Sequence, residues 1–423
     1  MKLLSEYRGL RKELYILFIG RMMTNMGSMI WPMFTLILSK KLGLSAGTIA
    51  SYMLIFSIVA LPMNLVGGKL ADKYSKKNII VFCDIVSITG YIYCSMVEIN
   101  FKAIVIFAAA SLFQTIEWPS YDALVADFTT GADRERAYSL SYLGSNLGLV
   151  LSPSIGGILF NEHLNLAFLI NGISIGISTL LIFFFIKDVH KEKDESPAAV
   201  YEQEIADDVS SIRYVLSHRV LLVFILAAML SNTVYDMWDY LMPLDMGVVH
   251  GDNGSVLYGT MTSLNCIEVV LLTALITRWF RKVRDTSKMV VAESLILLGY
   301  LIFMFFTRNI FLCYLSIFIF TIGEIFNTLA SSPFLTRRIP SSHRGRIMAV
   351  QGVTVSLGGA LLRNVIGAVH DKIGSQGAWT CVLILGAVQI GLLFLMKSFD
   401  RKDYSELYRD VHVKDDIEKG TDE

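Results

Sequence analysis

The chain has 423 residues, 54% hydrophobic and only 17% charged, with a mean hydropathy of +0.54. Soluble domains carry roughly 25% charged residues, so this much apolar surface has to meet lipid. Lysine plus arginine and aspartate plus glutamate balance at 37 each, which leaves no net field to draw nucleic acid or an acidic partner.

In chain order, Lys2, Arg8, Arg11 and Lys12 precede an apolar run that holds Arg21 and lacks a small-residue cleavage pattern. It is expected to be a retained first span and not a signal peptide. A bilayer core about 30 Å thick takes roughly 20 helical residues. Twelve apolar runs of about that length follow: 15–38, 46–66, 79–97, 103–121, 138–160, 164–186, 220–244, 256–277, 289–307, 310–333, 348–369 and 377–396. The five cysteines, Cys83, Cys94, Cys266, Cys313 and Cys381, fall within these runs without C-x-x-C spacing. They read as helix-packing residues, not as a disulfide framework or metal site.

Between Lys187 and Arg219 the chain turns polar, with a short helix of mixed charge expected over 201–216. The expected organisation is therefore an all-α integral membrane protein of two pseudo-symmetric six-helix halves. These are 1–186 and 220–396, joined by a linker over 187–219 and followed by a charged, solvated tail over 397–423. A repeat test agrees: at an offset of 210 residues Arg134, Arg136, Gly148 and Gly157 meet Arg344, Arg346, Gly358 and Gly367. Internal repeats of this kind are common in transporters. In alternate loops, 30 of the 37 basic residues fall on one side and 5 on the other, with Arg21 and Arg363 inside spans. Cytoplasmic loops retain positive charge, which places both termini in the cytoplasm.

The second basic loop reads Gly67-Gly68-Lys69-Leu70-Ala71-Asp72-Lys73-Tyr74-Ser75-Lys76-Lys77. It resembles the loop signature of the major facilitator superfamily, G-x-L-A-D-[RK]-x-G-[RK]-[RK], with Ser75 in place of the usual glycine. The resemblance implies that Asp72 and Asp127, with nearby basic residues such as Lys73 and Lys76, latch the two halves in one state. The lysines alone would also serve to set topology. In the fifth span Gly144-x-x-x-Gly148-x-x-x-Ser152-Pro153-x-x-Gly156-Gly157 puts small residues on one helix face. It looks like the G-x-x-x-G-P-x-x-G-G motif of proton-coupled antiporters in this superfamily, although simple helix packing uses the same spacing.

Charges inside the spans complete the candidate pathway, because each costs about 2.5 to 3.5 kcal/mol at a helix centre and so calls for a partner or a wet cavity. The resemblance implies that the first and fourth helices line the central cavity, and Arg21, with Asn25 a turn further on, is expected to pair with Glu117 beside Trp118. Drug antiporters of the superfamily usually carry Arg where Ser111 stands here. In the second half, Glu268 and Arg363 lie at similar depth and are expected to pair. Asp236 and Glu324 are the nominated proton carriers, with Trp238 next to Asp236. Asp84 and Glu293, near the inner ends of their helices, are expected to snorkel or pair locally.

No G-x-x-x-x-G-K-[ST] loop occurs and no zinc-site histidine pattern, so no cofactor or metal is expected. The expected function is secondary active transport, with proton-coupled efflux of small amphipathic or drug-like molecules by alternating access. Proton-coupled uptake, lipid translocation and a non-transporting sensor are the alternatives. The expected partners are the bilayer, a small solute and protons, with the chain a monomer in the plasma membrane. Its Ile-, Lys- and Met-rich usage hints at a bacterial source.

Overall fold

The computed structural model describes residues 7–129, 133–187, 211–280, 283–339 and 344–404. Much of the expected linker and the tail from residue 405 onward lie outside the described residues. The first half comprises α1 (Lys12–Gly27), α2 (Ile30–Leu36), α3 (Ala46–Lys73), α4 (Lys76–Met96), α5 (Phe101–Asp127), α6 (Arg134–Leu149), α7 (Ser152–Leu159) and α8 (Leu164–Phe185). After the short α9 (Ser211–Ser217) come α10 (Arg219–Tyr235), α11 (Met237–His250), α12 (Asn253–Trp279), α13 (Asp285–Phe306), α14 (Ile310–Thr336), α15 (Arg344–Ile373) and α16 (Ser375–Asp403). Helix starts are chemically marked. Ser45, Ser75, Asn100 and Asn309 each accept a hydrogen bond from the backbone N–H three residues on, which satisfies a donor left free in the first turn.

Among the described residues, eleven of the expected spans appear as helical stretches long and apolar enough to cross a membrane. The run 15–38 is instead broken at Ser28, which leaves helical geometry at φ −74°, ψ 55°, and α2 passes into a π-helical turn at Ile37–Lys41. The break sits where Gly27 presses on Ser174 of α8. The fifth run is interrupted between α6 and α7, next to Pro153, whose missing N–H removes a backbone bond. The seventh is interrupted at Asp236. Large apolar side chains face outward, among them Leu65, Phe82, Phe184 and Phe311, as a surface bathed in lipid requires.

The repeated glycines occupy matching places. Gly148 lies against the backbone of α1 at Met22, while Gly358 lies against Met229 of α10. Gly157 abuts Ser255 at the start of α12, and Gly367 abuts Gly47 at the start of α3. Each half therefore uses one glycine to approach its own first helical run and a second to approach the other half.

Those second contacts belong to two seams. Along α7 and α12, Gly259 meets the Pro153 carbonyl, the Ser154 and Ser263 hydroxyls lie 2.7 Å apart, and Asn161 donates to the Asp252 carbonyl at 2.8 Å. Along α3 and α15, Asp371 accepts from the Ser45 hydroxyl at 2.7 Å and from the Gly47 N–H at 3.0 Å, and Asn364 donates to Ser51 at 2.9 Å. Among the described residues, every hydrogen bond between the halves falls in the part of the bundle away from the basic loops. Toward the basic face of α3 and α15, a Cβ on Gly68 or on Gly352 would meet nothing within 4 Å.

Candidate functional site

The opening between the halves ends at a charged apex. Asp236, at the helix break between α10 and α11, is ion-paired with Arg363 of α15 and accepts from Asn232 at 3.1 Å. Arg363 also approaches the Met53 sulfur of α3 at 3.8 Å, so this pair spans the junction of the halves. One turn on, Asp239 accepts from the Tyr258 hydroxyl at 2.9 Å. A cavity of about 360 Å³ lies here, walled by Trp31, Phe34 and Phe56 on one side and Asp236, Asp239 and Arg363 on the other. Trp238 is buried and stacks on Phe320 at 5.2 Å, fixing α11 against α14. The expected pairing of Arg363 with Glu268 is overturned: Arg363 pairs with Asp236, and Glu268 is buried elsewhere on α12 with Thr321 as its hydrogen-bonding neighbour.

A second cavity, of about 320 Å³, lies within the second half among α10, α13, α14, α15 and α16. Glu324 is held by Tyr235 at 3.0 Å and by Asn265 at 2.7 Å. Glu293, expected to pair locally near a helix end, instead faces this cavity and takes a 2.5 Å hydrogen bond from Ser231. Glu293 is also in hydrogen-bonding contact with the buried Gln389. Asn327 donates to Ser231 at 3.2 Å and accepts from Ser331 at 2.6 Å, completing a polar wall without a cation.

In the first half, Arg21 does not pair with Glu117. It is buried, with Asp122 at 3.7 Å, and lies over the Trp118 ring at 3.7 Å and the Tyr121 ring at 4.7 Å. A guanidinium over an aromatic face is stabilised by the ring quadrupole. Asn25 caps this arrangement by donating to the Arg21 carbonyl at 2.9 Å. Glu117 is instead in hydrogen-bonding contact with the buried Asp84, which also accepts from Thr179 at 2.7 Å. Asp84 thus belongs to an interior acid pair.

The basic loop shows a division of labour. Ser75, where the signature has glycine, caps α4 with φ −56°, so no left-handed residue is needed there. Gly67, and not Gly68, makes the tight approach, to the Ile116 carbonyl of α5. Lys76 and Asp127 form a 2.8 Å ion pair within the first half, while Asp72 and Lys73 are exposed at the parted end. In the small-residue face of the fifth span, Gly148 and Gly156 pack on the first span, while Pro153 and Gly157 pack on α12 of the other half. Among the described residues, no group of three or more His, Cys, Asp or Glu side chains could hold a metal ion.

Comparison with known proteins agrees with this architecture. Residues 16–362 match the family model of the Major Facilitator Superfamily. A Na(+), Li(+), K(+)/H(+) antiporter of Planococcus maritimus is 24% identical over 358 residues, covering 78% of this chain and 82% of the relative. The multidrug resistance protein MdtH of Aeromonas hydrophila is 23% identical, covering 88% and 91%. Among solved structures, a POT family transporter in complex with 5-aminolevulinic acid superposes with a TM-score of 0.74 at 14% identity, covering 93% of this chain and 97% of that one. A point mutant of the nucleoside transporter NupG gives 0.70 at 14%, covering 92% and 100%. The chain is a multi-pass membrane transporter and belongs to the major facilitator superfamily.

Proposed function

We propose that this protein is a proton-coupled secondary transporter that carries a small solute by alternating access between halves 1–186 and 220–396, with the basic face in the cytoplasm. The observation that carries the reading is the geometry of two helix pairs that join the halves at one end, with Gly68 and Gly352 facing open space at the other end of α3 and α15 and charged cavities beside them. With the basic face inside, the described state is open to the cytoplasm. The exposed Asp72 is then available to engage the second half when that end closes.

Proton coupling has its support in the buried carboxyls of Asp84 and Glu293 and the half-buried ones of Glu117 and Glu324. A carboxylate removed from water must be neutralised by a proton or a cation, and two carboxyls in contact repel unless a proton lies between them. Loading and release of a solute that competes for, or accompanies, such a proton couples the two fluxes. Efflux by exchange is the finer reading, supported by the names of the antiporter and multidrug relatives. Proton-coupled uptake uses the same parts with the opposite sign.

The test is purified protein in liposomes that hold a pH-sensitive dye under an imposed proton gradient. Solute addition is expected to change the rate of proton movement, inward with solute for uptake and opposed to it for exchange. If no compound in a broad panel of metabolites and drugs either moves protons or accumulates, coupled transport is refuted.

A further inference from the structure

The Arg21 guanidinium is held by aromatic rings and by no hydrogen bond. The residue is only 8% exposed, lies over the Trp118 and Tyr121 rings, and has its Nε sealed from solvent without an acceptor. Asp122 lies 3.7 Å away, beyond hydrogen-bonding reach, and its side chain is 55% exposed. Glu117 is engaged with Asp84. A guanidinium carries five N–H donors, and its side chain forms no hydrogen bond among the described residues. Rings offset part of the charge, but they leave the donors of a buried cation unmade, which is costly.

The order of the neighbouring helices shows which way this group faces. Helix α3 packs on α5, α5 meets α1 where the Tyr121 hydroxyl donates to the Leu17 carbonyl, and α1 packs on α6. The outer two, α3 and α6, touch α15 and α12 of the other half. Helices α1 and α5 therefore lie between those contacts, and the face they share is turned to the opening between the halves. Trp118 and Asp122 are exposed on it. Further along the same side of the chain, Ser28 lines the apex cavity together with Trp31, Phe34 and Phe56. Seven residues separate Ser28 from Arg21, close to two helical turns, so the cavity begins about 10 Å from Arg21.

These two features select one class of ligand. A carboxylate accepts two parallel hydrogen bonds from a guanidinium, and Trp31, Phe34 and Phe56 offer apolar surface on the same first-half wall. An inorganic anion satisfies Arg21 but gains nothing from the rings, and an organic cation is repelled at Arg21. A carboxylate with an apolar body about 10 Å long reaches both.

We propose that Arg21 is the anion anchor of the opening and that the site takes small organic carboxylates, with the carboxylate on Arg21 and the apolar body laid toward Trp31 and Phe56. The assignment rests on the transport reading above in naming its solute class, but it is a statement about binding and is tested as one.

The experiment is calorimetric titration of the purified full chain, in lipid nanodiscs, with 4-phenylbutyrate, the neutral 4-phenylbutanol, the cationic 4-phenylbutylammonium and sodium acetate, with the heats of empty nanodiscs subtracted. Phenylbutyrate is expected to bind, acetate far more weakly, and the alcohol and ammonium not at all. Arg21→Gln is expected to weaken phenylbutyrate binding by about tenfold or more, the loss of charge-assisted hydrogen bonds, and Arg21→Lys, which keeps the charge without the fork, by less. Should Arg21→Gln not fold, Asp122→Asn decides: it removes the competing carboxylate and should raise affinity about two- to fivefold, the range for a solvated pair. Damage to the fold does not produce such a gain. Binding of the alcohol or the ammonium as tightly as phenylbutyrate, unchanged affinity in Arg21→Gln, or no gain in Asp122→Asn would each overturn the assignment. Gradient-driven flux of another solute in liposomes without phenylbutyrate binding defeats this inference alone. Phenylbutyrate binding without flux of any compound upholds it and defeats the transport reading.

Discussion

The two ends of α3 and α15 behave as different surfaces. At one end Gly47 and Gly367 bring the backbones together and Asp371 ties them with two hydrogen bonds. At the other, Gly68 and Gly352 face open space. A glycine in a seam is there for close approach, whereas a glycine in open space has no packing reason in this state. The difference indicates that small residues at the parted end serve a second arrangement, in which that end closes and the seam opens.

The largest effect is expected at the joined side of the apex. Arg363→Gln leaves the half-buried Asp236 carboxylate without its cation, a loss above the roughly 1 kcal/mol of an exposed pair and below the roughly 3 to 5 kcal/mol of a fully buried one, read as a drop in thermal stability in detergent. The double change Asp236→Asn with Arg363→Gln should recover much of it. Equal stability of the single variant and the parent would show that the pair does not fasten the apex.

An intermediate effect is expected in the seam. Gly157→Leu drives a side chain into Ser255, and overpacking of this kind costs roughly 1 to 3 kcal/mol, or about 5- to 150-fold in the population of the joined state. A cysteine at Ser57, beside the apex cavity, should then react faster with an impermeant thiol reagent added from the face opposite the basic loops. An unchanged rate would mean that the seam does not control access.

The sequence revealed the place and height of eleven of the spans better than their rotation. Apolar run length and loop charge gave the twelve runs, and the offset of 210 residues found glycines that do occupy matching places. Depth along a helix, however, says nothing about which way a residue points. Arg21 and Glu117 are at similar depth, yet the residue that reaches Arg21 is Asp122, and five residues turn a helix by about 140°. Glu268 and Arg363 failed for the same reason. Glu293 was placed too near the inner helix end because the ninth run was started at Met289, whereas α13 begins at Asp285, so Glu293 is two turns inside the helix. The break at Ser28 carries no proline, and only the contact between Gly27 and α8 explains its place.

The smallest effect on the described state is expected at the parted end. Gly68→Ala meets no neighbour, so stability should change by no more than about 0.5 kcal/mol, as for an unpacked surface site. Solute flux should nonetheless fall, because the closed form needs the space. A fall in stability with flux intact would reverse the roles assigned to the two ends.

The central claim is that the ends exchange roles, and paired spin labels measure it directly. One pair belongs at Lys69 and Met348 on the parted end, the other at Glu162 and Asp252 beside the α7–α12 seam, positions at the surface of the described state. On addition of a transported solute or a change of pH, the Lys69–Met348 distance should gain a shorter population while the Glu162–Asp252 distance gains a longer one. A single fixed distance for both pairs under every condition, in protein that still moves solute, would contradict alternating access between these halves.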